Sequence, residues 1–115
     1  MELAINGPVT ERQERMLRRA VDFFLNKLMT TRLQQTLYIE MDIIKDLEAT
    51  TGNCGTATWE DANVRPKDFT VEASWNGKKG FEKTLETIAH ELVHVKQFAR
   101  GEMKDLMSVK KVSWN

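Results

Sequence analysis

The 115-residue chain is poor in several residue types, and each shortage excludes a class of protein. Its single cysteine, Cys54, rules out an intrachain disulfide and favours a reducing compartment. No apolar run approaches the ~18 residues of a membrane span, and the N-terminus lacks the basic region and apolar core of a secretion signal. The 17 basic and 17 acidic side chains cancel, so no excess charge indicates a nucleic-acid or membrane partner. These absences predict a cytoplasmic protein.

Length and composition set the expected organisation. A chain of this length with 41% hydrophobic residues can bury one small core, which predicts a single domain over residues 1–115. Repeats and low-complexity segments are absent, so neither a solenoid nor a fibrous array is expected.

Histidine is also scarce, and both copies stand in one pentapeptide with the pattern H-E-x-x-H. On a helix, residues four apart lie on the same face, so His90 and His94 can hold one zinc ion at about 2.0–2.1 Å. Glu91 follows His90 and leans toward the same side, where its carboxylate can take a proton from a metal-activated water. The pattern therefore predicts a metallopeptidase site with His90 and His94 as metal ligands and Glu91 as general base.

The surrounding segment has the pattern of a helix, which this motif requires. Apolar residues follow helical spacing at Leu85, Ile88 and Leu92. Gly80 precedes the segment and Gly101 follows it, at positions where a helix begins and ends. These side chains, together with Ala89, are expected to face a sheet.

The rest of the chain predicts an α+β fold. Thr10 and Gln13 form a capping-box pattern at the start of an amphipathic helix. Apolar and polar residues alternate over 36–44 and 69–75, and a short strand is expected over 56–60. The predicted order is a helix, a three-stranded sheet and the helix that carries the motif. An extended peptide substrate is expected to pair with an exposed edge strand, for which 69–75 is the candidate.

Residues 87–97, which read TIAHELVHVKQ, resemble the active-site helix of SprT-like zinc metallopeptidases, closest to the short phage and bacterial members. The likeness extends back through 69–75 and forward to 99–102. It implies a zincin-like fold and a zinc-dependent peptidase in which His90 and His94 bind the metal and Glu91 is the base. The resemblance also allows a nucleic-acid partner, which the zero net charge does not support.

The third metal ligand is where the sequence departs from this family. A catalytic zinc site uses three protein ligands and one open position, and SprT-like enzymes take the third from a downstream histidine or glutamate. The downstream acids here are Glu102 and Asp105, and Glu102 reaches the site only if the chain folds back after Gly101. A segment beyond Asn115, a neighbouring molecule and a weaker two-histidine site are the other interpretations.

Two further residues have open roles. Cys54 is either a thiolate ligand or a small, semi-buried side chain. Gln97, one turn after His94, either hydrogen-bonds a ligand or substrate or is simply exposed. The alternative to an enzyme is a catalytically impaired zincin-like module that binds a protein or DNA partner.

Overall fold

A computed structural model describes residues 1–61, 65–75 and 80–101, and the backbone of 111–114. The fold is α+β, as the sequence pattern predicts. In chain order the elements are β1 (Glu2–Asn6), α1 (Glu11–Leu28), α2 (Thr31–Gln34), β2 (Tyr38–Lys45), α3 (Leu47–Thr51), β3 (Gly55–Trp59), β4 (Asp68–Trp75), α4 (Phe81–Ala99) and β5 (Lys111–Trp114). The predicted order of helix, three strands and helix is therefore wrong in detail, because it lacks β1, β5 and the two short helices.

The five strands form one mixed sheet in the order β1-β2-β4-β3-β5. Strands β1, β2 and β4 run parallel, whereas β3 is antiparallel to both β4 and β5. Strand β4 is thus paired on both sides, and the prediction that 69–75 forms an exposed edge is wrong. The alternation within one segment reports which face is buried, but it carries no information about the neighbours of that segment in the sheet.

Helix α1 begins where the capping pattern predicts. The Thr10 hydroxyl accepts a hydrogen bond from the Gln13 backbone N–H at 3.1 Å, and the Gln13 side chain accepts one from the Thr10 N–H at 2.9 Å. This reciprocal pair satisfies two of the backbone donors that a helix start leaves free. The helix packs against α4 through its buried side, which consists of Leu17, Val21 and Leu25.

The hydrophobic core lies between the sheet and these two helices. The register places Ile39 beside Phe69 and Met41 beside Val71, all four fully buried. The alternating apolar residues of 36–44 are buried, namely Leu37, Ile39, Met41 and Ile43, and so are Ile88 and Leu92 of α4, whereas Leu85 and Ala89 are only partly buried. The opposite face of the sheet is polar: Asn6 donates hydrogen bonds to Glu40 and Asp42.

Helix α4 runs from Phe81 to Ala99 and ends close to the predicted glycine. Gly101 has φ +70°, a conformation that glycine adopts without strain, and its N–H bonds the Phe98 carbonyl at 3.0 Å. The helix contacts α1, β3, β4 and β5, so it spans the sheet from its centre toward one edge. In the part of the chain that the structure describes, no helix is long and apolar enough to cross a bilayer.

Candidate metal centre

The three residues predicted from the motif lie together on α4. One ligand atom from each of His90, Glu91 and His94 falls within 4.8 Å of the others. The two imidazole rings are 5.2 Å apart between centroids and nearly perpendicular, with an interplanar angle of 78°. This arrangement follows from the helical repeat, because His90 and His94 are one turn apart on the same face. The atoms are close enough to converge on a single cation.

Gln97 takes one of the two roles that the sequence left open for it. Its Oε1 lies 2.9 Å from Nδ1 of His94, three residues earlier on the helix. Because an amide oxygen can only accept, this contact favours the tautomer that carries the proton on Nδ1. The Nε2 lone pair of His94 is then available to a metal. Partners of this kind orient ligating histidines in metalloproteins.

Glu91 is fully buried, which is unusual for a glutamate. Among the described residues, neither of its carboxylate oxygens has a hydrogen-bond partner. Burial raises the pKa of this carboxyl from 4.5 to about 7. A buried carboxylate without a partner is costly, and a cation at the adjacent imidazoles would offset that cost. The donor set and the orphaned carboxylate therefore fit a divalent metal ion such as zinc.

The two histidines differ from Glu91 in their surroundings. His90 is exposed and His94 is partly buried, so the site opens toward solvent on the histidine side. Desolvation, and secondly the neighbouring His94, lower the pKa of His90. A lowered pKa keeps the imidazole neutral at physiological pH, which is the form that binds metals.

Gly55 and Thr87 shape the buried side of the centre, and the sequence did not single them out. A Cβ on Gly55 would lie 2.6 Å from Cγ2 of Thr87, 2.9 Å from the backbone oxygen of Glu72 and 3.2 Å from Cγ of Glu91. Only glycine allows α4 to approach β3 this closely. The Thr87 hydroxyl is also buried without a hydrogen-bond partner among the described residues. Gly55 thus sets the depth at which Glu91 sits above the strand.

The other predicted candidates do not join this group. Cys54 is buried at 6% exposure and lies outside the cluster of metal-ligating side chains found among the described residues. Burial, followed by the nearby Glu48, raises the pKa of its thiol, which disfavours the thiolate that a metal needs. The structure supports the interpretation of Cys54 as a small, buried side chain. Glu102 and Asp105 lie outside the described residues.

Comparisons with known proteins do not assign the chain to a family. No protein-family model, curated protein or solved structure matches the chain. The SprT-like resemblance and the zincin-like fold therefore stay expectations that rest on the motif and its helix.

Proposed function

We propose that this chain is a zinc-dependent peptidase that hydrolyses extended protein segments. The observation that supports the proposal is the convergence of His90 and His94 with a buried carboxylate that has no hydrogen-bond partner among the described residues. A purely structural zinc site has four closed ligands and no use for such a carboxylate. A neighbouring glutamate beside two metal ligands is what a water-activating site requires.

Each residue of the site has a separate role in the proposed reaction. His90 and His94 hold the metal, and Gln97 keeps the His94 ring in the ligating tautomer. When bound there, zinc would polarise the scissile carbonyl and lower the pKa of an adjacent water toward ~7. Glu91 accepts the proton of the attacking water and delivers it to the leaving amine. In the metal-free protein this carboxyl has a pKa of about 7, and a bound cation would lower that pKa and favour the carboxylate form that accepts a proton.

The first prediction is that Glu91→Gln strongly slows hydrolysis and leaves metal binding intact. Glutamine has nearly the same shape but cannot accept the proton, so the rate is expected to fall about 10²–10⁴-fold. The measurement is cleavage of fluorescein-labelled casein with zinc supplied, together with calorimetric titration of zinc. Val93→Ala, an exposed neighbour on the same helix, is the matched control and should retain full activity.

In the same assays, His94→Ala distinguishes the role of a metal ligand from the role of the general base. This variant should lose both zinc binding and cleavage, whereas Glu91→Gln loses cleavage alone. Zinc binding that is unchanged in His94→Ala would refute the assigned ligands. A wild-type chain that binds zinc and cleaves no unstructured substrate would instead favour a zincin-like binding module.

A further inference from the structure

The candidate metal centre lies over β3, the strand next to the β5 edge of the sheet. Thr87 and Glu91 approach β3 at Gly55, and Phe98 packs on Trp59 of the same strand at 4.4 Å between ring centroids. Thr87, Glu91 and Phe98 therefore form a row on α4 that lies along β3 from Gly55 to Trp59. Leu92 lies on the core side of the row, and the helical repeat places the two histidines on the other side. His90 and His94 therefore lie on the side of α4 that faces the β5 edge of the sheet.

The strand that occupies this edge is β5, at the C-terminal end of the described chain. It pairs antiparallel with β3, with Trp114 opposite Gly55 and Lys111 opposite Thr58. Helix α4 contacts β5 as well as β3. The β5 backbone therefore passes beside the residue over which Glu91 sits. The bonds that hold it there are the main-chain bonds that β3 would offer to any extended peptide.

We propose that β3 is the peptide-binding strand of this protein, and that its C-terminal strand β5 is a resident occupant which a substrate must displace. The proposal rests on the proposed function, because it assigns the substrate position and the regulation of the same centre. A strand has two edges, and β4 already takes one edge of β3. An extended peptide and β5 therefore compete for the same row of backbone groups.

The competition has a physical basis in the length of β5. It pairs over four residues, which is short for a strand that must hold its place alone. An extended substrate could pair with the same four residues of β3 and also with Trp59, which lies beyond the described β3–β5 pairs. Exchange of one strand for another leaves the number of backbone bonds nearly unchanged, so a modest difference in affinity decides the occupant.

Locking β5 in place tests the proposal directly. Thr58 and Lys111 are Cα partners across the two strands, and directly opposed residues in an antiparallel pair lie at a separation that a disulfide can bridge. In Thr58→Cys/Lys111→Cys, the oxidised protein should neither bind nor cleave fluorescein-labelled casein. Addition of reductant should restore both to wild-type values. Equal binding in the oxidised and reduced forms would overturn the proposal.

Opening the edge is the complementary test. Backbone groups of alternate residues face the partner strand, so Val112→Pro/Ser113→Pro removes at least one N–H from the β3–β5 ladder. This variant should bind labelled casein at least tenfold more tightly than wild type. A synthetic peptide with the sequence of residues 108–115 should reverse the gain by competition. Val112→Ile/Ser113→Thr keeps every N–H and favours a strand, so it is the matched control and should not bind more tightly.

Binding and cleavage report on different claims in these experiments. Fluorescence anisotropy follows casein at the strand edge, and it needs no turnover. If the reduced and opened forms bind casein, the oxidised form does not, and no form cleaves it with zinc supplied, then the strand competition stands and the peptidase proposal fails. If the oxidised form cleaves casein as fast as the reduced form, the peptidase proposal stands and β5 is not the occupant that a substrate displaces.

Discussion

At the scale of single residues, the centre depends on a contrast between two neighbours in sequence. His90 is exposed, whereas Glu91, one residue later, is fully buried. A rotation of about 100° per residue carries the chain from the outer surface of α4 to the side that packs on β3. The same rotation keeps the carboxylate within 4.8 Å of the imidazole nitrogens. One helical turn therefore brings together two imidazoles that could bind a metal and a buried carboxylate, the arrangement that the proposed reaction needs.

Gln97 leads to a prediction about metal affinity. Its contact with Nδ1 of His94 holds the ring in the orientation and tautomer that present Nε2. We expect Gln97→Ala to weaken zinc binding about 10–100-fold, the usual range for the loss of a group that orients a metal ligand. Competition with a chelating dye measures this affinity. Val93→Ala should match wild type, and an equal loss in both variants would argue against a specific role for Gln97.

The raised pKa of Glu91 predicts how the stability of the metal-free protein depends on pH. The unfolded chain releases this proton near pH 4.5, whereas the folded state holds it until about pH 7. The folded state binds more protons in this window, so the free energy of unfolding falls as pH rises from 4.5 to 7 and is level above it. The total loss is about 3 kcal/mol, since one pKa unit corresponds to about 1.36 kcal/mol.

Glu91→Gln provides the reference for that measurement, because its amide does not titrate. Urea unfolding of both proteins in the presence of a chelator, at pH 5 and pH 7.5, gives the difference in free energy at each pH. The variant should gain stability relative to wild type at the higher pH, while all other titrating groups cancel in the comparison. A difference that does not change with pH would contradict burial as the cause of the shift.

At the scale of elements, the sequence indicates some features of the centre well and others poorly. The motif helix, its end near Gly101 and the cap at Thr10 are confirmed, because helical period and capping are local properties. The position of β4 in the middle of the sheet was missed, since pairing partners are set by contacts far apart in the chain. Strand β1 was missed for a related reason: its five residues become a strand through pairing with β2.

Gly55 shows why the buried half of the centre could not be predicted. In the sequence it is one of six glycines and follows a turn. Its importance appears only when β3 lies under α4 and a Cβ there would meet Thr87, Glu72 and Glu91. Local sequence patterns identify the reactive side chains of α4. The packing that holds these side chains depends on the contact between β3 and α4, which are distant in sequence.

The β3–α4 contact predicts a coupled pair of substitutions. Gly55→Ala should destabilise the protein by about 1–3 kcal/mol, the usual cost of an extra carbon in a tight contact. The nearest obstacle is Cγ2 of Thr87, at 2.6 Å from the added carbon. Thr87→Ser removes that methyl group, so the double variant should recover part of the loss. A double-mutant cycle in urea measures the coupling. If the changes in unfolding free energy were strictly additive, the Cβ at position 55 would not be in steric conflict with the Thr87 methyl group.

At the scale of the whole molecule, the same hydrophobic core stabilises the fold and supports the helix that carries the candidate metal centre. Leu92 lies between His90 and His94 in sequence, yet its side chain is fully buried in the cluster that joins α1, α4 and the sheet. The same cluster includes Leu17 of α1 and Phe69 of β4. The helix that carries the candidate metal ligands therefore also covers the hydrophobic core. A perturbation of the core is expected to reach the metal centre.

The last prediction uses this shared core. Leu92→Ala should reduce the free energy of unfolding by about 2–5 kcal/mol, the range for a fully buried leucine. Val93→Ala alters the next residue, whose side chain is 37% exposed, and should cost less than about 0.5 kcal/mol. Far-ultraviolet circular dichroism and tryptophan fluorescence should report one coincident transition in urea, because strands and helices share a single hydrophobic cluster. Both proteins carry Trp114→Phe, which removes the tryptophan of β5, so that Trp59 and Trp75 report on the β3–β4 pair alone. Two separated transitions, or a loss for Leu92→Ala no larger than for Val93→Ala, would contradict a single core built around α4.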